Sequence, residues 1–254
     1  MVRGPGGVVL ERVLDDVGDV NVFFRVRAAP LDGGWEPVSG WARASGRERL
    51  AAEVHRVRGQ LGALAGGGAE DVEWRVGASL FHQGLASRML SPVLAAALCH
   101  GAGLRADLLA YQPGRSGPLA LGTAQTRAVV LGEDVAAVAA WLEETVVEGV
   151  LARVEEALTG LGRISPGLLR GNTGSALAGA ARALGAARRD RRADAEAVVR
   201  ALLERPCLAG TGSYTGVDGA GRATLRRTTC CLYYRVPGGG LCGDCALRRS
   251  PGAR

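Results

Sequence analysis

The stretch Arg226-Arg227-Thr228-Thr229-Cys230-Cys231-Leu232-Tyr233-Tyr234-Arg235-Val236-Pro237-Gly238-Gly239-Gly240-Leu241-Cys242-Gly243-Asp244-Cys245 holds four of the six cysteines in a chain of 254 residues. Thiolates gathered this closely repel one another, and a bound metal ion or metal cluster offsets that repulsion. The stretch therefore divides the chain into a body, residues 1–205, and a C-terminal module built around sulfur, residues 206–254. Cys242 and Cys245 form a two-residue-spaced pair of the kind found in zinc and iron–sulfur sites alike. Cys230 and Cys231 are adjacent. In a regular strand, neighbouring side chains point to opposite faces, so both sulfurs reach one centre only from an irregular backbone. A structural zinc is normally served by two spaced pairs, whereas a two-iron cluster is a larger target that accommodates a vicinal pair more readily.

Between the pairs, Leu232 to Val236 reads as a β-type run that would carry the chain about 16 Å outward at about 3.3 Å per residue. Pro237-Gly238-Gly239-Gly240 then turns it back, and its glycines are expected to bring backbone N–H donors close to the sulfurs. Tyr233 and Tyr234 are expected to anchor this strand in the core.

Outward from the module, composition sets the bounds. Roughly half the residues are apolar, enough for a sizeable globular core. Glu11, Arg12, Asp15, Asp16 and Asp19 interrupt the apolar residues of the first twenty, so a secretory signal is not expected. The longest charge-free apolar run, Met89 to Cys99, falls far short of the ~18 residues of a membrane helix. A cytoplasmic, reducing setting is expected, which favours metal over disulfides for the clustered thiols. The net charge is +6 and every basic residue is arginine, consistent with a GC-rich coding sequence. From Pro206 onward, arginines 222, 226, 227, 235, 248, 249 and 254 face only Asp218 and Asp244, about +5 in all. Such a basic rim suits an acidic donor or substrate, or neutralises the thiolates themselves.

Periodicity predicts helices over Val8–Val20, Arg47–Leu64, Ser79–Cys99 (kinked or split at Pro92), Glu133–Leu158, Pro166–Leu184 and Asp190–Leu203. Asn21–Arg27 and Val72–Val76 read as strands. Leu104–Tyr111, Pro118–Gly122 and Arg127–Leu131 suggest a small antiparallel sheet. The glycine-rich Gly210–Gly221 reads as a linker. The expected fold class is α+β: a mostly helical body with a small sheet and a C-terminal iron–sulfur module.

Cys99 and Cys207 read as buried thiols rather than ligands. His55 and His100 read as surface or loop residues. Arg188-Arg189-Asp190-Arg191-Arg192 lacks interleaved aromatics and fits a solvated helix junction better than a nucleic-acid contact. No glycine triplet precedes a Gly-Lys-Ser/Thr, so no nucleotide signature is present, and no Ser/His/Asp set or carboxylate pair points to hydrolysis.

The cysteine stretch resembles the C-terminal signature of the FhuF-like ferric-siderophore reductases, and its Cys-Cys-x10-Cys-x2-Cys spacing matches without a gap. Ala78-Ser79-Leu80-Phe81-His82-Gln83-Gly84-Leu85-Ala86-Ser87-Arg88, with Ser91-Pro92 after it, and Ile164-Ser165-Pro166-Gly167-Leu168-Leu169-Arg170-Gly171-Asn172 resemble the same family. Arg170 stands where the family often has tryptophan. The resemblance covers roughly residues 75 to 247, and the first 70 residues are not diagnostic. It implies a cytoplasmic 2Fe-2S protein held by Cys230, Cys231, Cys242 and Cys245 that reduces siderophore-bound Fe(III) to Fe(II). Its substrate is a ferric siderophore bound by the body. Its electron donor is a separate ferredoxin or flavin reductase, and neither nucleic acid nor a membrane segment is involved. His82, Arg88, Asn172, Arg227 and Arg235 are the candidate substrate-binding residues. Two rival readings are an iron–sulfur redox sensor that binds DNA and a structural zinc-binding interaction protein.

Overall fold

A computed structural model describes residues 9–64, 66–114, 117–132 and 134–248. Val8, Glu133, Arg249 and Arg254, which figure in the sequence reading, lie outside the described residues.

Helix α1, Leu10–Gly18, buries Leu10, Val13, Leu14 and Val17, the apolar stripe that three- and four-residue spacing produces. Helix α2 spans Arg47–Ala63. Helix α3, Trp74–His100, runs through the middle of the molecule and is buried along most of its length. Pro92 does not split it. The hydroxyls of Ser87 and Ser91 donate back to the carbonyls of Gln83 and Ser87, at 2.9 and 2.7 Å, while packing from every side holds the helix together across the missing N–H. Gly101, at φ 57°, closes it in the left-handed conformation.

The strand expected at Val72–Val76 does not form: a single 3₁₀ turn, Ala69–Asp71, precedes it, and Trp74, Arg75 and Val76 are the first turn of α3. The Asp71 carboxylate accepts from the Gly68 N–H at 2.8 Å and favours the turn. Val72 and Val76 then lie together in a small apolar cluster.

The next helical rod consists of α4, Val135–Leu142, a wider π-helical stretch, Glu143–Leu151, and α5, Ala152–Leu161. Helix α6, Pro166–Ala187, has Pro166 in its first turn, where a missing N–H costs nothing. A 3₁₀ turn leads into α7, Arg192–Glu204.

The strands are short. β1 (Val26–Arg27), β5 (Leu121–Thr123), β4 (Leu109–Tyr111) and β2 (Glu36–Pro37) form one sheet in that order. The β4–β5 pair is antiparallel, as expected; β2, which the sequence reading did not predict as a strand, adds antiparallel to β4, and β1 joins β5 in parallel. β6 (Val129–Val130) leaves this sheet and pairs with β3 (Ala102–Gly103). Trp41 Nε1 donates to Tyr111 Oη at 2.9 Å beneath the larger sheet.

Gly212–Val217, inside the expected linker, is strand β7, antiparallel to β8, Ala223–Arg227. Its glycine serves close approach: a Cβ at Gly212 would lie 2.8 Å from the Arg226 carbonyl oxygen. Asp218 closes the hairpin turn by accepting from the N–H groups of Ala220 and Arg222. The hairpin packs on α6 and α7 and delivers Arg227 and the cysteines to the N-terminal halves of α3 and α6. Among the described residues, no helix is long and apolar enough to cross a membrane.

Candidate metal centre

Helices α3 and α6 run side by side in the same direction, since Ser79 meets Asn172 and Gln83 meets Ser175. Helix α6 offers bare backbone to the incoming chain. A Cβ on Gly171 would collide with Thr229 Oγ1, and one on Gly174 would come within 2.9 Å of Thr211 Oγ1. This close approach brings Arg227, only 2% exposed, between the two helices.

One guanidinium nitrogen of Arg227 donates to Asn172 Oδ1 at 2.6 Å and the other to Gln83 Oε1 at 3.0 Å. Two chains of hydrogen bonds continue from there. Asn172 Nδ2 donates to the Ser79 carbonyl at 2.8 Å and to Ser79 Oγ at 3.1 Å, and Ser79 Oγ donates to the Cys231 carbonyl at 2.7 Å. Gln83 Nε2 donates to Ser175 Oγ at 3.3 Å, and Ser175 Oγ donates to the carboxylate of Asp244, which sits between Cys242 and Cys245. The Arg227 N–H closes the ring on the Asp244 carbonyl at 3.0 Å. The backbones of both cysteine pairs are thus tied to one buried arginine. Arg227 Nε alone finds no acceptor.

All four cysteines are free thiols, with Cys231 and Cys245 buried and Cys230 and Cys242 half-buried. The expected strand between the pairs is instead a turn. Leu232 adopts the left-handed conformation (φ 68°, ψ 8°) and Tyr233–Arg235 form a 3₁₀ turn. This places Leu232 and Val236, four residues apart, on one side, where they pack with Val72 and Val76. Tyr233 and Tyr234 are 40% and 45% exposed rather than anchored in the core. The glycines shape the return, with Gly238 at φ 71°. The N–H groups that reach sulfur belong to other residues: Leu232 to Cys230 at 3.3 Å, Leu247 to Cys245 at 3.4 Å, and Tyr233 to Cys231.

Cys231 and Cys242 join the two pairs, their sulfurs 3.6 Å apart and sharing a hydrogen bond. That shared bond draws the Cys231 thiol down and pushes the Cys242 thiol up. Burial pushes Cys230 up, with the Leu232 N–H acting against it. Among the described residues, no three His, Cys, Asp or Glu side chains converge on a geometry suited to a single metal ion. The donor set is four soft thiols with backbone N–H groups aimed at three of them, and it fits an iron–sulfur cluster.

The remaining sequence candidates fall in several places. His82 is fully buried, with Nε2 3.3 Å from Glu155 Oε1 but without hydrogen-bond geometry at either ring nitrogen. Arg88 lies further along α3 and donates to the carbonyls of Leu119 and Arg25, at 2.7 and 2.8 Å, and to that of Val22. Arg235 is exposed and pairs with Glu73 at 3.1 Å. Arg226 donates to the carbonyl of Arg248 and Arg248 to that of Leu241, so part of the basic rim is spent holding the module's own loop. Cys99 is half-buried, and Cys207 is buried beside Glu143, burial raising its thiol to about 12. In the arginine run, Arg188 pairs with Asp16 at 2.8 Å and Arg191 with Asp190 at 3.3 Å. Ser79, Gln83, Ser175 and Asp244 are not among the candidate site residues of the sequence reading, although Ser79, Gln83 and Asp244 lie inside quoted segments. Their signal was positional: Ser79 and Gln83 share a face of α3, four residues apart.

Residues 227–247 match the family described as the FhuF 2Fe-2S C-terminal domain. The segment is similar to a FhuF 2Fe-2S domain. Its cofactor is a 2Fe-2S cluster, which displaces the zinc alternative, and the FhuF domain brings a redox role with it. No curated protein matches the chain.

Proposed function

We propose that this chain is a ferric-siderophore reductase of the cytoplasm, delivering one electron to siderophore-bound Fe(III) so that iron leaves as Fe(II). The observation that carries the reading is the FhuF 2Fe-2S domain at residues 227–247. The convergence of the two other FhuF-like segments, around Ser79–Gln83 and Asn172, on that domain supports it. Hard oxygen donors hold ferric iron far more tightly than ferrous, so a single added electron loosens the chelate. No proton transfer is required of the protein.

In this reading Cys230, Cys231, Cys242 and Cys245 hold the cluster, and residues 206–254 form a module seated on the body, residues 1–205. A 2Fe-2S cluster supplies one electron at a time. The chain's own residues fix the loop and set its field. Leu232, Tyr233 and Leu247 aim N–H groups at sulfur, and Arg227 adds a buried positive charge that offsets thiolate repulsion. Arg227 and Asn172 therefore act on the cysteine loop rather than on the chelate. The electron comes from a separate carrier such as a ferredoxin or flavin reductase.

The reading is tested with anaerobically purified, dithionite-reduced protein, freed of excess reductant. On adding a ferric siderophore, the cluster absorbance should return by one electron per iron, and Fe(II) should appear in a ferrous-specific chelator. Reoxidation no faster than in buffer alone would overturn the assignment.

A further inference from the structure

Beside the cysteine loop, α3 and α6 diverge into a groove of about 420 Å³. Its inner end is formed by Gln83, Ser175 and Asp244, the same residues that tie Arg227 to the Cys242–Cys245 turn. The groove therefore ends against the backbone between two of the cysteines. Its volume lies within the ~300–1,000 Å³ range of small-molecule sites. Larger recesses elsewhere, such as the 860 Å³ one bounded by Asp16, Arg27 and Trp35, contain no residue of the cysteine loop.

The walls are small on one side and aromatic on the other. Gly179 of α6 faces open space, with nothing within 4 Å of where its Cβ would be, and Phe23, 39% exposed, lies across from it. The charges are uneven. Arg222 at the rim is neutralised by Asp218 at 2.8 Å, while the Asp244 carboxylate at the inner end accepts from the neutral Ser175 hydroxyl and so leaves a negative charge there. Arg182 is exposed and lines the groove, and no ion pair holds it among the described residues. A cation without an ion-pair partner on the wall of a recess draws anionic ligands into that recess.

We propose that this groove seats the ferric chelate and that Arg182 selects chelates carrying negative charge, such as carboxylate- or catecholate-bearing complexes. The inference rests on the reductase reading. One electron passes from the reduced protein to the chelated Fe(III), which leaves as Fe(II), and no bond to the protein forms.

The gallium(III) tris-catecholate complex, which cannot be reduced, serves as the binding probe, and the gallium complex of a neutral trihydroxamate as its comparison. Calorimetry on the cluster-loaded protein should show the anionic complex bound more tightly than the neutral one. Gly179→Leu, whose side chain would fill the groove, should weaken the anionic complex at least tenfold with the visible spectrum unchanged. Arg182→Gln should weaken it severalfold while leaving the neutral complex as it was. Gly84→Leu, on α3 in a different recess, should bind like the parent protein. Unchanged binding by Gly179→Leu, or loss in Gly84→Leu instead, overturns the groove assignment. If Gly179→Leu does not load its cluster, Arg182→Gln decides, and equal losses for both complexes, or none, overturn the selectivity. The two readings fail separately. A parent protein that reduces no ferric chelate refutes the reductase, whereas one that does so with the same half-saturation as Gly179→Leu refutes only the groove.

Discussion

Two arginines are buried along the α3–α6 pair, and they are buried for different ends. Arg88, 4% exposed, answers to three backbone carbonyls from the N-terminal segment and the loop before β5. Neutral acceptors satisfy its N–H groups without neutralising its charge, so burial, with Arg25 nearby, lowers its pKa to about 10. Arg227, 2% exposed, answers to two side-chain amides, and its surroundings include the thiols of Cys230 and Cys231. The first is a clamp between chain segments. The second is a charge placed where deprotonated sulfur will need one. A buried cation thus reveals its purpose less by its burial than by what its neighbours become when they ionise.

The largest effects should separate the sulfur end of the pair from the rest. Replacing Cys230, Cys231, Cys242 or Cys245 with serine should abolish or strongly perturb the visible and EPR spectra of the reduced protein. Cys207→Ser and Cys99→Ser should leave both intact. A normal spectrum in Cys231→Ser would show that the vicinal pair supplies a single ligand.

Next come the arginines themselves. Arg227→Met and Arg88→Met each strand buried acceptors and should each cost about 2–4 kcal/mol of stability in denaturant titrations. The two should differ in the cluster. Arg227→Met removes a nearby positive charge and should lower the reduction potential by on the order of 50 mV, whereas Arg88→Met should leave it unchanged. Equal potentials in the two variants would erase the distinction drawn between them.

This distinction was only partly legible in the sequence. The spacing of four cysteines identified the module, and apolar periodicity located α1, α2, α6 and α7 to within a few residues. Three features were misread for physical reasons. Val72 and Val76 look like strand residues because β-branched side chains favour strands, but Asp71 and the long helix after it decide the local structure. Gly212 and Gly216 look like linker residues because glycine is flexible, but both lie in strand β7, and Gly212 lets the two strands approach. The Leu232–Val236 run alternates in no useful way, and the left-handed Leu232 that folds it back has no sequence signal, since leucine rarely adopts that conformation. At the site, Arg227 and Asn172 were chosen for polarity. Their meeting depends on long-range packing of α6 against the hairpin, which one sequence does not display.

A smaller effect contrasts two glycines on α6. Gly171→Ala should cost about 1–3 kcal/mol because its methyl meets Thr229, and Thr229→Ala should relieve most of that in the double variant. Gly179→Ala, with open space before it, should instead stabilise by about 0.5–1 kcal/mol through helix propensity. Stabilisation in both would mean that the hairpin does not press on α6 where the cysteine loop begins.

The smallest effect lies at Leu232, where two terms oppose each other. A non-glycine residue held in the left-handed conformation costs about 1 kcal/mol, which Leu232→Gly would recover. The same substitution removes a half-buried side chain packed on Val72, Val76 and Val236, which is worth about 1–2 kcal/mol. The net change in global stability should therefore stay within about 1 kcal/mol. Local behaviour is where the variant should show itself, because the conformation of Leu232 directs its own N–H to Cys230 and the next to Cys231. Glycine leaves that conformation accessible but no longer holds it with a side chain. The variant should unfold at nearly the parent denaturant midpoint yet release iron faster to a chelator. An unchanged release rate would mean that the network from Arg227 through Asn172 and Ser79 to the Cys231 carbonyl fixes the loop without help from Leu232.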